Sequence, residues 1–135
     1  MRTAILRKEH FNSAHRLNNP NWSEEKNKEV FGKCNNPNFH GHNYQLEVRV
    51  AGDVDPETGY VMDVKVLKDI IRKNVLERYD HKNLNLDVSD FKNLNPTVEN
   101  IAQVVYTHIS KDLPEGLELK IRLYETERNI AEYPA

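Results

Sequence analysis

His40 and His42 flank Gly41 a short way after Cys34, the only thiol in the chain. Alternate residues of a strand share a face, so the two imidazoles would point the same way, with a glycine between them that leaves room for a close approach. This is a usable ligand pair for a metal ion. A catalytic zinc site takes three protein ligands and keeps one position open, whereas a structural site closes with four. His10 and His15, upstream in a segment with strand character, are the candidates for the third ligand. Cys34 admits three roles: a fourth ligand in a closed Cys/His site, a catalytic thiolate, or a small inert core residue. The asparagines and Pro37 around it place it on a loop.

Two further positions carry chemistry. Asp80-His81 is an adjacent carboxylate and imidazole that could relay protons, provided the helix before them has ended, because neighbours in sequence do not face each other on a regular helix. Glu125 continues the apolar parity of Leu117, Leu119, Ile121 and Leu123, which would point a carboxylate inward. Such a group needs partners, and a ligand edge with two adjacent N–H donors would satisfy both oxygens.

The elements that must position these groups are legible in the patterning. Residues 3–15 read as a first strand, followed by a long polar stretch, Arg16 to Asn38, in which Ser23-Glu24-Glu25 could open a short helix. Structureless connections of more than about 12–15 residues are usually functional or disordered, and this one leads into the Cys/His segment. From His42, the residues Tyr44, Leu46, Val48 and Val50 alternate with Gln45, Glu47 and Arg49, a half-buried strand that puts His40 and His42 on the apolar parity. The turn residues Asp53 to Gly59 predict a hairpin return at Tyr60-Val61-Met62. A helix then runs from Val64 through Leu67, Ile71 and Val75 to an end near Asp80-His81. A second begins at Asn95-Pro96-Thr97 with the inner stripe Ile101, Val104, Val105, His108 and Ile109, and stops at Pro114 and Gly116. Leu117 to Tyr124 alternates as a strand, and Asn129 to Tyr133 forms a short last one. The main order is β-β-α-α-β, with the return and the final strand as additions, in a single domain over residues 1–135.

Composition narrows the function. A length of 135 residues with 38% hydrophobic content suits one core. A net charge of -2 and a pI near 6.3, with no basic stripe, argue against nucleic-acid partners. One cysteine gives no disulfide framework, the N-terminus has no signal-peptide core, and no segment is apolar enough for a membrane span. The expectation is a soluble cytoplasmic protein with no membrane partner.

Taken together, Phe11-Asn12-Ser13-Ala14-His15-Arg16 and Phe31-Gly32-Lys33-Cys34-Asn35-Asn36-Pro37-Asn38-Phe39-His40-Gly41-His42-Asn43-Tyr44 resemble the 6-pyruvoyl-tetrahydropterin synthase and 6-carboxy-tetrahydropterin synthase family. The likeness runs on through Gly52, Asp55-Pro56, Thr58-Gly59, Asp80-His81-Lys82-Asn83-Leu84, Thr97-Val98-Glu99-Asn100 and Tyr124-Glu125-Thr126. The resemblance implies that His15, His40 and His42 bind Zn2+, that Cys34 is the catalytic base, that Asp80 and His81 complete a relay assembled across a subunit boundary, and that Glu125 and Thr97 hold the pterin. It implies an α+β tunnelling fold (β-β-α-α-β-β) whose antiparallel sheets join into an oligomeric β-barrel with helices outside, as trimers or hexamers. The implied reaction is a lyase conversion of 7,8-dihydroneopterin triphosphate to 6-pyruvoyl-tetrahydropterin with elimination of triphosphate, as in tetrahydrobiopterin biosynthesis. An internal redox tautomerisation makes a nicotinamide or flavin unnecessary, in keeping with the lack of a Gly-rich dinucleotide fingerprint. The alternative within the family is a 6-carboxy-tetrahydropterin synthase of the queuosine and 7-deazaguanine route, which releases acetaldehyde. Outside it stand a non-catalytic zinc protein closed by Cys34 and a metal-independent aldolase-like relative.

Overall fold

In the computed structural model, which describes residues 1–135, two long strands dominate. Strand β1 (Arg2–His15) and strand β2 (His40–Asp53) run antiparallel in unbroken register from Arg2↔Asp53 to His15↔His40. Alternation explains their faces: Phe11 and Ser13 of β1 and Tyr44, Leu46, Val48 and Val50 of β2 are buried on one side. The polar stretch between the strands folds into α1 (Glu24–Phe31) and a 3-10 turn, Gly32–Asn35. Ser23 caps α1, its hydroxyl accepting from the Lys26 N–H at 3.1 Å.

After β2 comes one continuous helical segment: α2 (Val64–Ile71), a widened π turn at Arg72–Leu76, and α3 (Glu77–Tyr79). Leu67, Ile71, Val75 and Tyr79 form its buried stripe. A two-residue strand β3 (Lys82–Asn83), a single helical turn α4 (Leu84–Asp87) and a 3-10 turn at Ser89–Phe91 lead to α5 (Val98–Asp112). Thr97 caps α5 by accepting from the Asn100 N–H at 3.1 Å. Strands β4 (Glu118–Tyr124) and β5 (Ile130–Tyr133) complete the sheet in the order β3-β1-β2-β4-β5, all neighbours antiparallel except β3 with β1.

One core of 21 buried side chains lies between the sheet and the helices. The opposite sheet face carries Gln45, Arg49, Lys120, Arg122 and Glu132, with Arg122 Nε donating to Glu132 at 2.8 Å. The sheet is open, with β3 and β5 at its edges. Both long helices and the strands β1, β2, β4 and β5 lie where the patterning put them.

The predicted hairpin return at Tyr60-Val61-Met62 is not a strand. The turn itself forms, with Gly59 N–H donating to Asp55 O at 2.7 Å and Asp55 N–H to Tyr60 O at 2.8 Å. However, β2 already pairs with β1 on one side and β4 on the other, so no free edge remains for a return. Met62 packs into the core instead, and Asp63 caps α2.

Candidate active site

The three candidate ligands meet at one end of the β1–β2 pair. His15 and His40 are directly opposed across the strands, and His42 lies opposite Ser13, one step further along the same face. Their ring centroids are 4.7, 5.1 and 4.9 Å apart, and one ring nitrogen from each lies within 4.8 Å of the others. His10 falls on the opposite parity of β1, exposed and facing away. Strand alternation therefore separates the two third-ligand candidates.

The protonation of His15 follows from its hydrogen bond. Its Nδ1 lies 2.8 Å from the carbonyl oxygen of Pro96, which can only accept, so Nδ1 carries the proton and Nε2 the lone pair. Burial pushes the His15 pKa down from 6.5 to about 4, against the raising effect of that carbonyl and with help from His40 and His42. The ring is thus neutral near neutral pH. Burial also lowers the pKa of His42, opposed by the negative charge of Glu125. His15 Nε2 and His40 Nδ1 are buried with no hydrogen-bond partner. Buried nitrogens normally find partners. Two orphaned imidazole nitrogens beside a third imidazole, with one ring oriented by a backbone carbonyl, fit a divalent ion such as zinc.

Strand β4 delivers the carboxylate. Glu125 follows its last rung, Gln45↔Tyr124, and its backbone N–H donates to Asn129 O at 3.0 Å, which closes the turn into β5. Its oxygens stand 3.9 Å from His15 Nε2 and 3.9 Å from His42 Nε2, beyond hydrogen-bond reach. The side chain is only 19% exposed, yet it accepts no hydrogen bond from the chain, so both oxygens remain open to a ligand. The negative charge of Glu125 adds to burial in raising the pKa of the Tyr44 phenol.

Asp80 and His81 pair as the sequence required, because the helix ends at Tyr79. Asp80 is extended and His81 takes a left-handed φ of 60°, which brings His81 Nδ1 to 3.0 Å from Asp80 Oδ2. Both grip the edge of β1 at Asn12: its N–H donates to Asp80 Oδ1 at 2.9 Å, and its carbonyl accepts from His81 N–H at 2.7 Å. The Asn12 N–H is the largest influence holding the Asp80 carboxyl below the usual range, with His81 adding to it. The exposed His81 borders a cleft of about 460 Å³ shared with Asn12, Ser13, Gly41, His42 and Asn43.

Cys34 lies on the 3-10 turn, partly exposed, outside the histidine group. No hydrogen bond links its thiol to Asp80 or His81. Thr97 has its hydroxyl oxygen engaged as the α5 cap, and its neighbour Pro96 supplies the carbonyl that orients His15. That carbonyl is the functional group the sequence concealed: main-chain acceptors carry no residue signature. The Asn-Pro-Thr start of a helix located the segment without revealing its contact.

Residues 4–135 match the family described as 6-pyruvoyl tetrahydropterin synthase. The 6-pyruvoyl tetrahydrobiopterin synthase of Poecilia reticulata is 46% identical over 129 residues, covering 96% of this chain and 88% of that protein. The enzyme of the same name from Homo sapiens is 43% identical over 129 residues, covering 96% and 89%. Among solved structures, Caenorhabditis elegans 6-pyruvoyl tetrahydropterin synthase superposes with a TM-score of 0.93 at 40% identity, covering 98% of this chain and 95% of that one.

Proposed function

Because the chain belongs to the 6-pyruvoyl tetrahydropterin synthase family, we propose that it is the lyase that converts 7,8-dihydroneopterin triphosphate to 6-pyruvoyl-tetrahydropterin, with residues 1–135 acting as one synthase domain. The observation that carries this reading is the pair of unsatisfied groups side by side: buried, partnerless imidazole nitrogens and a mostly buried carboxylate with no donor, whose oxygens stand 3.9 Å from His15 Nε2 and His42 Nε2. Glu125 takes the amino and ring N–H edge of the pterin through its two free oxygens. Thr97, whose oxygen accepts from α5, still has its O–H to donate.

His15, His40 and His42 are the residues that would hold Zn2+, which supplies Lewis-acid polarisation of the substrate's side-chain oxygens when bound. Neutral His15, held in one tautomer by Pro96, needs no proton loss to serve there. Cys34 as thiolate removes the proton from the side-chain carbon, and triphosphate departs with its bonding electron pair from the neighbouring carbon. A two-electron, two-proton shift from side chain to ring then yields the tetrahydropterin without an external oxidant or reductant. The Asp80–His81 pair receives and returns protons: Asp80 Oδ2 holds His81 Nδ1 and leaves Nε2 outward.

Cys34 makes no hydrogen bond to Asp80 or His81 of its own chain, which is consistent with a relay completed between chains. The open sheet supports the same assembly, since β3 covers the outer edge of β1 only at Ser13 and Ala14, and β5 leaves the far edge free. In this reading subunit sheets join edge to edge into a barrel with helices outside, as a trimer or hexamer in the cytoplasm. Mass spectrometry of the products after incubation of zinc-loaded protein with 7,8-dihydroneopterin triphosphate tests the reading. A 6-pyruvoyl product with stoichiometric triphosphate is expected. A 6-carboxy product with acetaldehyde, or no turnover by an intact zinc-bound oligomer, overturns it.

A further inference from the structure

Beyond the groups that touch substrate, the structure contains a set of hydrogen bonds that joins the thiol-bearing turn to the metal-binding end of β1. Arg16 directly follows His15, and its Nη2 donates to the carbonyl of Asn35, next to Cys34, at 3.0 Å. Asn35, 5% exposed, donates from Nδ2 to Leu17 O at 2.8 Å and to Asn18 Oδ1 at 2.9 Å. Leu17 N–H returns a bond to Cys34 O at 2.8 Å. The turn is therefore held by its own backbone at Cys34, by its side chain at Asn35, and by a cationic donor at the Asn35 carbonyl.

Arg16 is itself fixed from the other side. Its N–H donates to Asn85 Oδ1 at 2.8 Å, and Asn85 Nδ2 donates to its carbonyl at 3.0 Å, so one carboxamide on α4 serves as a further rung beside β3. No carboxylate pairs with the guanidinium, and its Nε is buried without a partner. A partly buried cation that neutralises no acid, and spends its hydrogen bonds on a main-chain carbonyl and, at 3.5 Å, on Asn18 Oδ1, contributes orientation more than charge pairing.

We propose that Arg16 and Asn35 are positioning residues that fix the Cys34 thiol relative to His15, so that base and metal site form one rigid unit within each chain. Loss of that registration lowers the chemical step while leaving substrate and metal binding intact, because a reacting group displaced by about 1 Å can cost on the order of a hundredfold in rate. The proposal rests on the reading of Cys34 as the base.

The test uses Arg16→Met, which keeps the aliphatic stem, Arg16→Lys, which keeps a donor for the Asn35 carbonyl, and Asn35→Ala, which leaves the guanidinium in place. Three quantities are measured: steady-state kinetics, zinc per chain, and the rate of Cys34 alkylation by iodoacetamide. Arg16→Met and Asn35→Ala are expected to lower kcat by about tenfold or more, hold KM and zinc content within about twofold, and change the alkylation rate severalfold, with Arg16→Lys recovering most of the loss. Wild-type kcat and alkylation in both disabling variants, or a loss of kcat that tracks zinc content, overturns the proposal. Alkylation needs no turnover. A wild type inactive on the pterin but with variant-dependent alkylation therefore refutes the synthase reading and supports the tether, and an active wild type with unchanged alkylation does the reverse.

Discussion

In the metal-free protein, lowering the pH should destabilise the fold through His15 above the range in which the lowered carboxyls of Asp80, Asp112 and Glu132 lose their contribution. Burial holds this imidazole at a pKa of about 4, against 6.5 for an ordinary histidine. The unfolded chain therefore binds a proton at a pH where the folded chain does not. The unfolded state gains protons as the pH falls through 6.5, and stability falls with it until the folded pKa is reached. The free-energy loss from this single group is about 1.4 kcal/mol near pH 5.5 and about 2.5 kcal/mol near pH 4.5, approaching about 3.4 kcal/mol at lower pH. The burial-lowered His42 acts in the same direction. Asp80, Asp112 and Glu132 have lowered pKa values, so their contributions are present above the ordinary carboxyl range and are lost only as the pH falls below it. The two effects occupy separate windows. Urea unfolding of chelator-treated protein between about pH 7.5 and 4.5, with His15→Asn as the control, reads the difference. A wild-type curve that stays flat through pH 6.5 to 5, or a variant that falls just as steeply, would refute the assignment of a buried neutral imidazole.

Other perturbations have directions set by the contacts described. Asp90 accepts from the Tyr79 hydroxyl at 2.9 Å and lies 3.1 Å from His108 Nε2, with Tyr79 fully buried, so Asp90→Ala should cost about 1–3 kcal/mol in chemical denaturation by stranding the phenol. Cys34→Ala should retain the wild-type zinc content, since the thiol lies outside the histidine group, and lose about 10²–10⁴ in kcat; parallel loss of metal would instead favour a four-ligand site. On the proposed function, Glu125→Gln would put an N–H donor against the donor edge of the pterin and should weaken substrate binding by about tenfold or more in a direct titration, with the fold unchanged by circular dichroism. Asn74 spans α2 and α5 by donating to Ile70 O at 2.9 Å and Asp112 Oδ2 at 2.8 Å, so Asn74→Ala should lower stability by about 1–2 kcal/mol without affecting zinc content.

How much of this could be read beforehand depended on whether the information was local. The parity of β2, the helix starts at Ser23-Glu24-Glu25 and within Asn95-Pro96-Thr97, and the end of the helix near Asp80 are properties of neighbouring residues, and the structure has each of them. The return at Tyr60 failed because its fate depends on β4, a strand much later in the chain that occupies the edge it would need. Strand β3, with two residues, has too few positions to display a period. The π turn is equally hidden, since Asn74 gives no local sign of its tie to Asp112 on α5. That His15 rather than His10 faces His40 and His42 is a matter of register, which pairing across a long connection decides.

That register has a consequence for how the chain reaches its native state. The β1–β2 ladder is closed only through a polar connection, not a tight turn, so loop geometry does little to select among offset pairings. A slip of one residue would send His40 and His42 to the face opposite His15. An ion held by all three imidazoles would bind the correct pairing and not the one-residue slips, which would make metal binding a proofreading step against those misalignments, with a bias that grows with free-ion concentration by mass action.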